Sequence, residues 1–215
     1  MTNQIVQSGF DFPVSLTEKY RPATIGEFVG LHQVRLIMSK LCARPYASAW
    51  LFAGPSGTGK TSMAKVCCET MNAEVHQVPA QECDLAKVEW LWHQTHFVPR
   101  GTCHAIVIDE LDRASNAAQT ALLSKLDPNA DFFPQTVVFA TTNDTSRLEP
   151  RLLSRFRVLE FAGSWIAQDV TAMLQRIWDA ETDSRKYPNF AEMLKDKTIN
   201  IRAALMSLEI ELLAA

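Results

Sequence analysis

The chain has 215 residues, 47% of them hydrophobic and 21% charged, with 24 acidic against 21 basic side chains and a formal net charge of −3. That balance supports a packed core, either one large domain or a domain of about 150 residues with a small companion, and excludes a polybasic nucleic-acid wrapper while leaving open a local basic surface. No apolar run is long enough to cross a membrane, the first residues lack the pattern of a secretory signal, and Cys42, Cys67, Cys68, Cys83 and Cys103 contain no C-x-x-C pair, so a reducing cytoplasm is expected rather than a disulfide framework.

Along the chain, residues 1–15 carry Gly9 and Pro13 without periodicity and read as a loose segment. From Ala49 onward, short apolar runs alternate with stretches of helical spacing. The strands are expected at Ala49–Ala53, Glu74–Val78, His104–Ile108, Thr136–Ala140 and Val158–Phe161, and the helices at Lys60–Met71, Leu85–His96 and Ser115–Leu126. Such alternation predicts an α/β fold, a five-stranded parallel sheet with helices on both faces. After Phe161 no strand pattern appears. Residues 165–181, a shorter piece at Phe190–Leu194, and residues 200–213 with Asn200 as N-cap read as helices. The expected division is 1–15 as the loose segment, 16–162 as the α/β core and 163–215 as a helical lid, with a boundary near Ala162-Gly163.

Gly54-Pro55-Ser56-Gly57-Thr58-Gly59-Lys60-Thr61 matches G-x-x-x-x-G-K-[ST] and sits where that motif requires, after a strand and at the opening of a helix. Gly57 and Gly59 allow successive backbone N–H groups to turn inward as an anion nest, and the helix N-terminus adds partial positive charge. Lys60 is placed for the β- and γ-phosphates, the Thr61 hydroxyl for Mg²⁺, and Ser62 completes the stretch that meets the nucleotide. The run His104–Ile108 ends in Asp109-Glu110: Asp109 suits the Mg²⁺ shell, and Glu110 suits orienting and deprotonating an attacking water. Asn143, at the end of the next strand, can bond the γ-phosphate or that water; an Asx-turn leaving the strand is the plainer alternative. These residue types together predict ATP and Mg²⁺ as cofactors and ATP hydrolysis as the reaction.

The order of P-loop, Asp-Glu strand, Asn-tipped strand, arginine-bearing helix and helical lid resembles the AAA+ ATPases, and within them the clamp-loader subunits of the replication factor C type. Glu18-Lys-Tyr20-Arg21-Pro22 and Val29-Gly30 are similar to that family's two N-terminal boxes, which implies that Tyr20, Arg21, Pro22, Val29 and Gly30 line the base pocket. Ser154-Arg155-Phe156 is similar to the segment whose arginine reaches the ATP of a neighbouring subunit, with Phe156 where that family has cysteine. Ile199-Asn-Ile-Arg202 resembles the lid motif whose arginine contacts the γ-phosphate of its own chain. The resemblance implies other AAA+ subunits, a sliding clamp and primer–template DNA as partners and no membrane. It also implies a C-terminal helical collar, for which no sequence follows the lid here. A salt-bridged surface arginine is the competing reading of Arg155, given Arg147, Arg151 and Arg157 nearby, and a solvated helix face that of Arg202.

By position in that family, the helix start after Cys83 (Lys87) and the one after Asp112 (Arg113, Ser115, Asn116) are candidates for duplex phosphates, although Glu82, Asp84 and Asp112 weaken the local field and Ser115 reads equally as a helix N-cap. Gln119 couples the two surfaces or is simply solvated. His93, His96 and Cys103 lack a fourth partner for a metal; Trp90, Trp92, Trp165 and Trp178 read as packing residues, and Cys67-Cys68 as core-facing on one side. The functional expectation is a clamp-loader-type ATPase subunit. The alternatives are another DNA-associated AAA+ machine (a branch-migration motor, a replication-restart factor or a helicase loader) and a nucleotide switch with little hydrolysis.

Overall fold

The computed structural model describes residues 14–127, 135–161, 166–194 and 200–214. In chain order the elements are α1 (Leu16–Lys19), α2 (His32–Ala43), β1 (Ser48–Ala53), α3 (Lys60–Thr70), β2 (Glu74–Pro79), α4 (Leu85–Gln94), β3 (His104–Asp109), α5 (Asn116–Lys125), β4 (Thr136–Thr142), α6 (Pro150–Leu153), β5 (Arg157–Glu160), α7 (Ile166–Glu181), α8 (Phe190–Met193) and α9 (Ile201–Ala214). Short 3-10 turns precede α2, α4, α5 and α6. Residues 1–13 of the N-terminal segment, the Ala162-Gly163 boundary and Trp165 lie outside the described residues.

All five expected strands form one sheet in the order β2-β3-β4-β1-β5, and each neighbouring pair is parallel. The three central strands are buried almost throughout, as strands covered on both faces must be, whereas the outer strands β2 and β5 alternate or are mostly exposed. Side-chain alternation along each strand divides the core in two. Trp50, Phe52, Ala105, Val107, Val137 and Phe139 face α2 and α3, while Ala49, Leu51, Ile106, Ile108, Val138 and Ala140 face α4, α5 and α6. Phe52 sits at the centre of the first layer, its ring 5.6 Å from that of Phe139 and 5.0 Å from that of Phe161.

Helix α2 is an addition to the elements expected above. Its buried residues Val34, Met38, Leu41 and Cys42 fall at helical spacing, a periodicity that marks it in retrospect. It seats against α3 and the start of the sheet, and Cys42 directs its thiol toward the Cys67 carbonyl at 3.7 Å. Three longer helices start on capping side chains: Asp84 accepts from the Lys87 N–H at 2.8 Å, Ser115 from Ala118 at 3.2 Å, and Asn200 from Ala203 at 3.0 Å.

In the C-terminal part, Val170, Leu174, Ile177 and Trp178 form the inner stripe of α7 and meet Ala204, Leu205 and Leu208 of α9. This apolar cluster is continuous with the α2/α3 layer of the sheet. The lid therefore shares a core with the α/β part on one face only, which leaves the edge between them to form a cleft. Among the described residues no helix is long and apolar enough to cross a membrane.

Candidate nucleotide site

The parallel topology sets the carboxyl ends of β1, β3 and β4 side by side, the place where open α/β sheets bind ligands. The loop after β1 runs over Gly54–Gly59 into the first turn of α3. Gly57 and Gly59 have φ of +77° and +93°, left-handed conformations that turn backbone N–H groups inward at a helix start. A Cβ on Gly57 would also lie 1.9 Å from Asn200 Oδ1, because the N-cap of α9 rests directly on this loop.

Lys60, the first residue of α3, is buried and folds back over the loop. Its Nζ donates to the carbonyls of Gly54 and Pro55, each at 2.7 Å, and to Asn143 Oδ1 at 2.9 Å. Thr58 Oγ1 donates to the Pro55 carbonyl at 2.9 Å and braces the same turn. The start of α3 and the end of β4 thus bring the two candidate site residues Lys60 and Asn143 into contact. Burial lowers the Lys60 ammonium to about 8, opposed by the charges of Asp112 and Glu110 and reinforced by that of Arg202. The influence of Arg202 puts its charge within electrostatic reach of Lys60. Its backbone N–H donates to the Gly57 carbonyl at 3.3 Å, and its side chain is exposed at the cleft.

Thr61 Oγ1 donates to Asp109 Oδ1 at 2.9 Å, so the two expected Mg²⁺ ligands already converge. A hydroxyl and a carboxylate at that separation are hard oxygen donors of the kind that Mg²⁺ takes from P-loop proteins. Asp109 is held from two further sides, by Gln77 Nε2 at 2.6 Å and by Thr141 Oγ1 at 3.3 Å. Asp112 Oδ1 accepts from Thr142 Oγ1 at 3.0 Å and from the Asn143 N–H at 3.2 Å, which pins the end of β4 to the turn after β3. Gln77, Asp112, Thr141 and Thr142 are site residues that the sequence-based expectations omit. For Asp112, Thr141 and Thr142 the signal is a polar side chain at the carboxyl end of an otherwise apolar strand or in the turn just beyond it; Gln77, inside the mixed strand β2, carries no such mark.

Glu110 is a non-glycine residue at φ +58°, a sparsely populated conformation, stabilised by its N–H donating to Thr141 Oγ1 at 2.9 Å. Its carboxylate lies against Arg113, whose Nη1 is 3.2 Å away. Arg113, a candidate for duplex phosphates, is therefore paired with the candidate base.

The base end of the cleft is built from the chain's N-terminal region and the lid. A cavity of about 660 Å³ is lined by Tyr20, Arg21, Pro22, Val29 and Gly30 together with Met173 and Arg176 of α7. A second, of about 150 Å³, shares Tyr20–Pro22 and Val29 and continues past Gly57–Gly59 and Ser62 to Ile201 and Arg202. All the expected base-pocket residues thus fall on one cleft contiguous with the P-loop. Phe28, buried beside Gly59, is a further wall residue.

Several of the other residues singled out above have partners within the chain. Arg155 lies in the turn after α6, where its Nη2 donates to Asp127 Oδ2 at 2.8 Å. Ser115 acts as the N-cap of α5, and Lys87 lays its ammonium over the Trp90 ring, 4.3 Å from the centroid, in a cation–π contact. Asn116 begins α5 and its carbonyl accepts from Thr120 Oγ1 at 2.9 Å. The 3-10 turns before α4 and α5 do pack together, so these two helix starts share one edge of the molecule. Trp90 is 46% exposed and is not a core residue, whereas Cys67 and Cys68 are both fully buried; contact with the Cys42 thiol and then burial raise Cys67, and burial and nearby thiols raise Cys68. Gln119 is buried, not solvated: Oε1 accepts from the Glu149 N–H at 3.0 Å and Nε2 donates to the Ala114 carbonyl at 3.4 Å. His93, His96 and Cys103 form no metal-binding group, and none with three or more suitable ligands occurs among the described residues.

A parallel sheet with this loop, this threonine–aspartate pair and this lysine–asparagine contact defines a P-loop nucleoside-triphosphatase. Residues 50–164 match the model of the AAA family, ATPases associated with various cellular activities, and the chain belongs to that family. It is 29% identical over 166 residues to the sliding-clamp-loader large subunit of Escherichia phage RB69, covering 75% of this chain and 51% of that protein. It is 27% identical over 185 residues to the replication-associated recombination protein A of Haemophilus influenzae, covering 79% and 39% respectively. The chain thus spans about half or less of the length of these relatives. Among solved structures, the RuvB Holliday-junction branch-migration motor of Thermotoga maritima superposes with a TM-score of 0.66 over 88% of this chain and 64% of that one, at 24% identity, a likeness of fold.

Proposed function

We propose that this chain binds ATP with Mg²⁺ and hydrolyses it as one AAA+ subunit of a clamp-loader-type assembly, which opens or places a sliding clamp on primer–template DNA. The observation that carries the nucleotide part is the meeting of Lys60 with Asn143 and of Thr61 with Asp109 at the end of one cleft. The clamp-loading part is supported by the N-terminal boxes lining that cleft and by the likeness to a phage clamp-loader subunit.

In this reading the P-loop N–H groups, Lys60 and Arg202 hold the triphosphate, and Asn143 orients the attacking water. Thr61 and Asp109 would hold Mg²⁺, which would offset part of the negative charge of the triphosphate. Glu110 takes a proton from the water as its oxygen attacks the γ-phosphorus; the bond from that phosphorus to the bridging oxygen breaks, leaving ADP and inorganic phosphate. To take the proton, Glu110 must part from Arg113. Arg155 acts on the ATP of a neighbouring subunit, once that contact replaces its pairing with Asp127. The helix starts bearing Lys87 and Arg113–Asn116 lie toward duplex phosphates, through backbone N–H groups as much as side chains. The chain works in the cytoplasm, where its five free thiols remain reduced.

The test is ATP turnover with primed DNA, with a sliding clamp, and with both. Stimulation by the two together beyond the sum of each supports clamp loading. The likeness to recombination protein A favours a second reading, a DNA-associated AAA+ machine that handles no clamp. Stimulation by DNA alone, unchanged by the clamp, selects that reading and overturns the first. A turnover rate strictly linear in protein concentration removes the role of Arg155 between subunits.

A further inference from the structure

We infer that Glu181, at the end of lid helix α7, is the positioning residue of the nucleobase pocket: it holds Tyr20 and Lys19, and so fixes the pocket wall to the lid rather than to the sheet. The inference rests on the cleft being a nucleotide site. Tyr20 lines both cavities of that cleft, between the P-loop end and the open end. Its hydroxyl donates to Glu181 Oε1, and Lys19 Nζ lies 2.9 Å from the same carboxylate. The carboxylate is 19% exposed, sheltered enough for a charge-assisted bond to keep much of its strength. Burial and the bond to Glu181 raise the Tyr20 phenol to about 12, so it remains a donor throughout the working range.

A second contact anchors the same segment to the lid, since the Leu16 N–H donates to Glu209 Oε1 of α9 at 3.0 Å. A few residues on, Ile25 of the turn Ile25–Glu27 and Phe28 are buried with α2 and α3 on the sheet side. The intervening residues Arg21–Thr24 make no regular element. The wall of the pocket is therefore suspended between two bodies: Tyr20 moves with the lid, and Phe28 and Val29 stay with the sheet. A base between them reports the lid's position, while the phosphates are read by P-loop atoms that Glu181 does not touch. Loss of Glu181 should accordingly weaken binding of a whole nucleotide and spare that of a bare triphosphate.

The experiment is calorimetric titration of wild type, Y20F, E181A and the double variant with ATP–Mg²⁺ and with inorganic triphosphate–Mg²⁺. Expected is a rise of about three- to tenfold in Kd for ATP in each single variant, with triphosphate affinity held within about twofold. The double variant should be no worse than the poorer single one, since both break one contact. Y20F removes only the hydroxyl and keeps the ring, so it decides the matter if E181A folds poorly. Equal losses for ATP and triphosphate, or unchanged ATP affinity in Y20F and E181A, overturn the inference while leaving the nucleotide site intact. Failure of wild type to bind either ligand overturns both the site and the inference.

Discussion

At the phosphate end of the cleft the ligand-facing groups sit at the carboxyl end of a buried strand, one residue beyond it, or on the first turn of α3. Lys60 meets Asn143 and Thr61 meets Asp109 because β1, β3 and β4 are neighbours in one parallel sheet. At the base end, the wall is made by the first described helix and the last two long ones, through Tyr20 with Glu181 and Leu16 with Glu209. The groups of the first end are held by hydrogen bonds to one another and to the loop. The second depends on how two bodies that share one apolar face are held together, and so it can open. If the cleft binds a nucleotide as proposed, this contrast makes phosphate binding and base binding separable.

The sharpest way to break that contrast is to damage the phosphate end alone. E110Q should lower single-turnover hydrolysis by about 10²- to 10⁴-fold, the worth of a positioned general base, with ATP affinity unchanged; a loss of affinity instead would give Glu110 a binding role. K60M should cost about 100-fold in affinity for ATP and for inorganic triphosphate alike, since it removes a charge-assisted donor common to both. The same lysine carries a pH signature. Its proton is held less tightly in the folded chain than in the unfolded one, leaving at about 8 rather than 10.5. Triphosphate binding favours the protonated form, so affinity should fall as pH rises through about 8. Over the same interval, up to 10.5, the unfolded chain binds more protons, so this group's contribution to the stability of the free protein rises with pH. An affinity flat from pH 7 to about 9 would remove Lys60 from the phosphates.

A smaller effect is expected at the seam where the two ends touch. G57A places a methyl 1.9 Å from Asn200 Oδ1 on a backbone at φ +77°. It should cost about 1–3 kcal/mol in thermal unfolding and loosen the lid, seen as faster hydrogen exchange at the start of α9. Unchanged exchange there would mean that the lid does not lean on the loop. The smallest effect lies outside both ends. S115A should lose about 1 kcal/mol by removing the cap of α5, with duplex affinity at low salt unaltered. A larger loss of DNA binding than of stability would make Ser115 a phosphate contact as well as a cap.

Much of this arrangement was legible in the chain before any coordinates. The five strands follow from short apolar runs, and the P-loop from eight consecutive residues whose types have one joint use. Asp109 and Asn143 were legible because each ends a strand. Helix α2 went unmarked although Val34, Met38, Leu41 and Cys42 have the right spacing, since exposed Leu36 and half-buried Ile37 blur that stripe. Trp90 illustrates the opposite error. Its type predicts burial, yet it stands 46% exposed with a lysine over its ring. Burial depends on which face the neighbouring elements cover, and periodicity within one helix cannot specify the neighbours.

By itself, the sequence determined the class of the molecule and the chemistry of its phosphate end, because a nest of glycine N–H groups, a lysine and a threonine at a helix start are contiguous in the chain. Only the tertiary structure decided the partners: that Glu110 lies against Arg113, that Arg155 is bound to Asp127, that Gln119 is buried between α5 and α6, and that the lid reaches back to Tyr20. The physical reason is separation along the chain. Contacts within a turn follow from local backbone geometry, but Tyr20 and Glu181, 161 residues apart, meet because the apolar residues beside them, Leu16 of α1 and Ile177 and Trp178 of α7, are buried in one cluster.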